Sequence, residues 1–160
     1  IVSLILSAFF SGMEIAYVSS NKIHIEIEKK QEGILAKVLT RLTAKPSKFI
    51  TTMLIGNNIA LVIYGFFMGD LLVHWFQSLL PTSYSFIDYM LIDLSLLSQT
   101  IISTIVILIT AEFLPKVFFQ IYANSLIKAL AIPAFIFYVL FTFISDFVIW
   151  ISDIILKNFF

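Results

Sequence analysis

Three residue groups could do chemistry together, and each sits where a soluble protein would place only apolar side chains. The first is Thr110-Ala111-Glu112-Phe113-Leu114-Pro115-Lys116, at the end of an apolar run from Leu94 to Leu114. A carboxylate that deep in a membrane-like segment is costly and marks a functional site by default. Pro115 follows three residues later, with no N–H for the carbonyl of Ala111 and a ring that crowds it. A negative side chain and a released backbone oxygen are both hard ligands, suited to magnesium, calcium or sodium.

The second group lies in the first apolar run. Ser3, Ser7, Ser11 and Glu14 recur at spacings of four, four and three, which is one helical face. Gly12 beside them allows another backbone to approach closely. The bland alternative is that the serines bond to their own carbonyls one turn back and only help helices pack. Glu14 weighs against it, because a carboxylate there needs a partner or an ion. The third group is Leu54-Ile55-Gly56-Asn57-Asn58-Ile59. An asparagine carbonyl can ligate a hard cation, and its bland alternative is a helix–helix hydrogen bond worth about 0.6–2 kcal/mol. Adjacent residues point about 100° apart on a helix, so at most one of Asn57 and Asn58 faces a given site.

The elements that must position these groups follow from composition. Of 160 residues, 60% are hydrophobic and 12% charged, and the mean hydropathy is +1.02. That leaves too little polar surface to cover a water-soluble globule. The expected fold is an all-α integral membrane domain. A transmembrane barrel is disfavoured because the runs are solidly apolar rather than alternating. The chain has no cysteine and two histidines, His24 and His74, which excludes a thiolate site and disfavours a zinc or copper centre. It opens at Ile1 inside an apolar run, with no secretory signal pattern, and is read as a membrane domain of a longer protein.

Residues 1–20 form the first expected span and 49–76 the second. Residues 94–114 form the third, with Gln99, Ser103 and Thr110 along one face. Between the first two, residues 22–48 hold seven of the ten basic residues, opposed only by Glu26, Glu28 and Glu32. By the positive-inside rule this segment is cytoplasmic and the N-terminus lies outside. Gly33 divides it into two short helices, the second with an apolar face of Ile34, Leu35, Val38 and Leu42. Gly65 and Gly69 form a small-xxx-small pair. Residues 77–93 carry no Lys or Arg, which fits an external loop. The segment 126–155 is apolar enough for a fourth span, yet long, interrupted by Pro133, and acidic at Asp146 and Asp153. It either spans the membrane or lies along it.

At 1.5 Å rise per residue, Ser11, Glu14 and the tandem asparagines fall at similar depth. Glu112 lies nearer the cytoplasmic edge, within reach of bundle tilt or a widened turn. Hydroxyl, amide and carboxylate oxygens from three spans thus converge on one layer. No enzyme signature accompanies them: there is no His-Glu-x-x-His, no paired aspartates, no serine with a histidine at membrane depth. No catalytic residue is assigned, and no nucleic-acid partner. Two further readings stay open: a membrane anchor or dimerisation module for cytoplasmic regulatory domains, and a proton or non-selective cation pathway through Glu14 and Glu112.

Phe9-Phe10-Ser11-Gly12-Met13-Glu14 with Ala16 and Ser19, then Leu54-Ile55-Gly56-Asn57-Asn58, then Glu112-Phe113-Leu114-Pro115-Lys116, resemble in order and spacing the transmembrane domain of the CNNM/CorC family. The likeness runs over essentially the whole chain. It implies three transmembrane helices, a cytoplasmic helical hairpin, and a juxtamembrane belt helix over 118–160. It also implies a homodimer in the plasma (inner) membrane, with cytoplasmic CBS-type domains as partners beyond this chain and the lipid bilayer around it. The implied activity is magnesium export coupled to sodium entry. The implied metal site is Ser7, Ser11, Asn57 or Asn58, and Glu112, shaped by Gly12, Glu14, Gly56, Ala111 and Pro115.

Overall fold

The computed structural model describes residues 1–159, with side chains through residue 157. Among them there is no strand, and the architecture is all-α. Helix α1 covers Val2–Ser19, α2 Lys22–Lys29, α3 Ile34–Thr43 and α4 Pro46–Leu79; α5 covers Ser85–Ile92 and α6 Ser95–Ile107. A π-helical turn, Leu108–Phe113, joins α6 to α7, Leu114–Ile121. Helices α8 (Ala123–Ala129), α9 (Ala131–Leu140) and α10 (Thr142–Phe159) follow.

Three helical stretches are long and apolar enough to cross a membrane: Val2–Ser19, Pro46–Leu79 and Ser95–Ile121. This is a multi-pass membrane architecture. Proline sets the start of the second. Pro46 occupies its first turn, where the missing N–H has no partner to lose and the fixed φ suits a helix. The helix then runs 34 residues, about 51 Å at 1.5 Å per residue. A bilayer core is about 30 Å thick, so α4 must tilt or protrude.

Helix α1 is the hub. It packs on α4, on the π-turn, on α7 and on α8. Its register against α4 is antiparallel: Ser7 meets Asn57, Phe10 lies on Gly56, and the Tyr17 and Phe49 rings sit 4.8 Å apart. Glycine makes this approach feasible. A methyl group built on Gly56 would stand 2.6 Å from the Phe10 ring, and one on Gly12 would stand 2.5 Å from Phe119 of α7. Phe10, Met13, Phe49 and Met53 extend the core to Leu39 and Leu42 of α3 and to Ile127, Ala131 and Ala134.

Two expectations are corrected. The third span does not stop at Leu114. Pro115 falls in the first turn of α7, where proline is tolerated, because the π-turn before it takes up the register change. The helix therefore continues to Ile121. The segment after it, expected as a single helix, is divided into three. Pro133 cannot donate to the carbonyl of Ala129 and would crowd it. Helix α8 ends at Ala129, and α9 leaves at 63° to it. A second bend at Phe141 turns the chain into α10.

Polar contacts fix these pieces to the bundle. Glu28 of α2 accepts from Lys128 Nζ of α8 at 2.8 Å, and the Asn21 backbone N–H donates to Asn124 Oδ1 at 2.8 Å. The fully buried hydroxyls of Thr52 and Ser145 are 2.8 Å apart. One turn earlier on α4, Lys48 pairs with Asp146 at 2.7 Å.

Candidate functional site

Hydroxyl side chains in apolar helices usually bond to their own backbone one turn back. Thr52, Thr100 and Thr110 do so, donating to Lys48, Leu96 and Val106 carbonyls at 2.6–2.7 Å. Ser7 and Ser11 do not. The Ser7 hydroxyl crosses to α4 and donates to Asn57 Oδ1 at 2.5 Å. Ser11 Oγ is buried and has no hydrogen-bond partner among the described residues. An orphaned buried hydroxyl is rare and asks for an explanation such as an ion or a water. The two serines lie one turn apart on the same face, about 6 Å along the axis. Ser7, Ser11 and Asn57 are all buried.

Asn58 turns the other way. It is exposed, as the 100° step between neighbours requires once Asn57 faces inward. The structure thus separates two residues that the sequence left equivalent.

The third contribution is backbone. In the π-turn the Leu114 N–H reaches back five residues, to the carbonyl of Ile109. The carbonyl next in that register belongs to Thr110, and Pro115 has no N–H to give it. In the ordinary α register the same gap would fall on Ala111. Pro115 therefore offers no N–H to the Thr110 carbonyl in the π register or to the Ala111 carbonyl in the α register, and both lie on the stretch against which α1 packs. Such π-bulges recur at functional sites. Ala111 is fully buried, so the turn meets the bundle through that residue, while Leu108, Ile109, Thr110 and Phe113 are exposed. The helix continues past Glu112 to Ile121.

Glu112 is half-buried, and its carboxylate stands 3.6 Å from Lys116 Nζ on the next turn. Its side chain is thus directed along α7 rather than bonded to Ser11 or Asn57. Glu14 is half-buried on the serine face. Gly12 and Gly56 act as spacers, with Phe119 and Phe10 filling the room a side chain would need. Among the described residues, no three His, Cys, Asp or Glu side chains come together. The oxygens these elements offer are the Ser7 and Ser11 hydroxyls, the Asn57 amide and the backbone carbonyls of the π-turn, with carboxylates on Glu14 and Glu112.

On the far side of Asn57 from the hairpin, α4 and α6 enclose an open crevice of about 250 Å³ lined by Gly65, Gly69, Gln99, Thr100 and Ser103. Gln99 and Ser103 come from the polar face of the third span, and the two glycines leave the space open.

An apolar bundle of span-length helices, with buried hydroxyl and amide side chains and a proline-bearing π-turn, is a multi-pass membrane domain. The chain belongs to the CNNM family: the family's model, the Cyclin M transmembrane N-terminal domain, matches residues 1–159. This is a transporter-type domain rather than an enzyme, in a family generally associated with membrane metal-ion transport. A curated relative, the UPF0053 inner membrane protein YfjD of Escherichia coli (strain K12), is 31% identical over 120 residues. The match covers 75% of this chain, and the chain spans 24% of that relative's length.

Proposed function

We propose that this domain carries magnesium across the membrane and exports it, coupled to sodium entry. The observation that supports this reading most is the orphaned Ser11 hydroxyl one turn from the Ser7–Asn57 pair. Magnesium demands near-octahedral oxygens at about 2.0–2.1 Å and sheds water reluctantly. Ser7, Ser11, the Asn57 carbonyl and the proline-freed backbone oxygen are such ligands, and a partly hydrated ion would fill its remaining positions with water. Glu112 supplies charge compensation by turning from Lys116. Glu14 adds a second negative charge on the same helix as the serines.

Alternating access would follow from rocking of the third span about its π-turn, since transporters place sites where helices are broken. The hairpin side is read as cytoplasmic from its basic excess, and the name of the relative fits a plasma (inner) membrane location. A homodimer and attached CBS-type domains belong to the same reading.

The test is magnesium flux in proteoliposomes under an imposed sodium gradient. Glu112→Ala is expected to abolish flux while the protein still inserts and folds. Normal flux in that variant overturns the assignment. Magnesium titration of thermal stability separates the alternatives. A pure anchor would show no shift, because only a ligand that binds the folded state raises its stability. Flux driven by a pH gradient alone would favour a proton pathway.

A further inference from the structure

A second cavity lies where α1 hands over to the hairpin, ten residues along α1 from Ser7 and so about 15 Å away. It measures about 420 Å³. Its floor is apolar, made by the Tyr17 ring, Val18, Ile25 and Pro46, and its rim carries Lys22 and Lys29. Lys29 is paired with Glu26, which shares the rim. Lys22 is exposed and pairs with no carboxylate among the described residues. The rim therefore holds one uncompensated positive charge over an apolar floor.

The position of this cavity follows from chain connectivity. Only two residues separate α1 from α2, and two separate α3 from α4. Links that short reach at most about 11 Å, so both ends of the hairpin stay at the membrane surface. The outward face of α2 carries Ile23, 71% exposed, and Ile27, 56% exposed, one turn apart. Exposed isoleucines on a short helix that has Lys22 at its start and Lys29 at its end suit a helix lying in the headgroup boundary.

We propose that this cavity seats one anionic phospholipid of the leaflet on the hairpin side. Its phosphodiester would meet the Lys22 ammonium, and the first carbons of its chains would cover Val18, Ile25 and Pro46. A soluble phosphate satisfies the charge but leaves the apolar floor in water. A second protein copy would have to bring a single negative charge together with an apolar segment at this depth, which a phospholipid does by construction.

Native mass spectrometry of the chain, with equal amounts of phosphatidylglycerol and phosphatidylcholine in the micelles, tests the proposal. One free lysine at an anionic surface predicts about five-fold preferential retention of phosphatidylglycerol. Lys22→Gln is expected to bring retention to parity, while Lys22→Arg keeps the preference, which separates charge from folding. Lys37→Gln, on α3 away from the cavity, should leave it unchanged. Val18→Trp, which fills the floor, should lower retention of both lipids. Equal retention by the unmodified chain overturns the proposal, as does an equal effect of Lys37→Gln and Lys22→Gln. Displacement of the lipid by inorganic phosphate alone overturns the lipid assignment in favour of a soluble anion.

Discussion

The Ser7 hydroxyl donates to Asn57 Oδ1 across 2.5 Å, joining α1 to α4 in the buried layer. The contact takes one lone pair of the amide oxygen, leaves the other for a cation, and orients that oxygen toward α1. One turn away, Ser11 has a hydroxyl and no such partner. Two serines of one stripe thus differ: the Ser7 hydroxyl has a protein partner for its proton and the Ser11 hydroxyl has none.

That contrast separates stability from binding. Ser7→Ala strands the Asn57 oxygen and should lower stability by about 1–2 kcal/mol, in the range of helix–helix hydrogen bonds in membranes. Ser11→Ala removes a hydroxyl that bonds to nothing, so without magnesium its stability should stay within about 0.5 kcal/mol or rise slightly. Its magnesium-induced rise in melting temperature should nevertheless disappear. Thermal melts with and without magnesium read both. A Ser11→Ala protein that keeps its full magnesium response removes Ser11 from the ligand set.

The glycines predict a graded series. Gly56→Ala forces a methyl group to 2.6 Å from the Phe10 ring, which is buried between α1 and α9 aromatics and 4.8 Å from Phe137. With no room to retreat, overpacking should destabilise by about 1–3 kcal/mol. Gly65→Ala meets nothing within 4 Å and gains helix propensity, about 0.5–1 kcal/mol. The melting temperatures should therefore move in opposite directions. A shared direction would mean that the α1–α4 approach is looser than the geometry indicates.

Pro115→Ala should trade binding for helix. The new N–H can serve the Thr110 or the Ala111 carbonyl, so amides 108–116 should exchange with solvent more slowly. The same gain fills the coordination site that the proline leaves open, and the magnesium-induced stabilisation should fall. Hydrogen exchange over the π-turn together with a magnesium melt checks the pair. Slower exchange with an unchanged magnesium response would show that the backbone oxygen is not a ligand.

How much of this was readable in advance depends on how local the cause is. Three apolar runs and the break at Gly33 are local, and the helices follow them. Pro46 and Pro133 act within one turn, and helices start or bend beside both. Pro115 is the instructive case. The same residue type that starts α4 and breaks the chain before α9 is carried inside the third helix, because a π-turn widens the helix just ahead of it. Whether a helix widens depends on what packs against it, here α1, and that is invisible along the sequence. Asn57 and Asn58 are locally equivalent and are told apart only by where α1 lies. The contacts Thr52–Ser145 and Glu28–Lys128 join positions about a hundred residues apart and leave no periodic trace.

The Glu28–Lys128 pair yields an asymmetric prediction. Lys128 Nζ lies 2.8 Å from both Glu28 oxygens, with the Glu28 side chain 10% exposed and that of Lys128 41% exposed. Truncating either residue removes the same contact, but the residue left behind differs. After Glu28→Ala, the lysine can swing its ammonium into water and recover most of its hydration. After Lys128→Ala, a nearly buried carboxylate remains, with only His24 Nε2 nearby, at 4.0 Å. Stranding a buried charge costs more than losing the contact itself. Lys128→Ala should therefore be the more destabilising change, by about 1–2 kcal/mol over Glu28→Ala. Since this pair holds α2 to α8, amides of residues 22–43 should exchange faster in both variants, and faster still in Lys128→Ala. Equal effects, or a larger one from Glu28→Ala, would mean that the Glu28 carboxylate is already hydrated and that the hairpin is held by its apolar face alone.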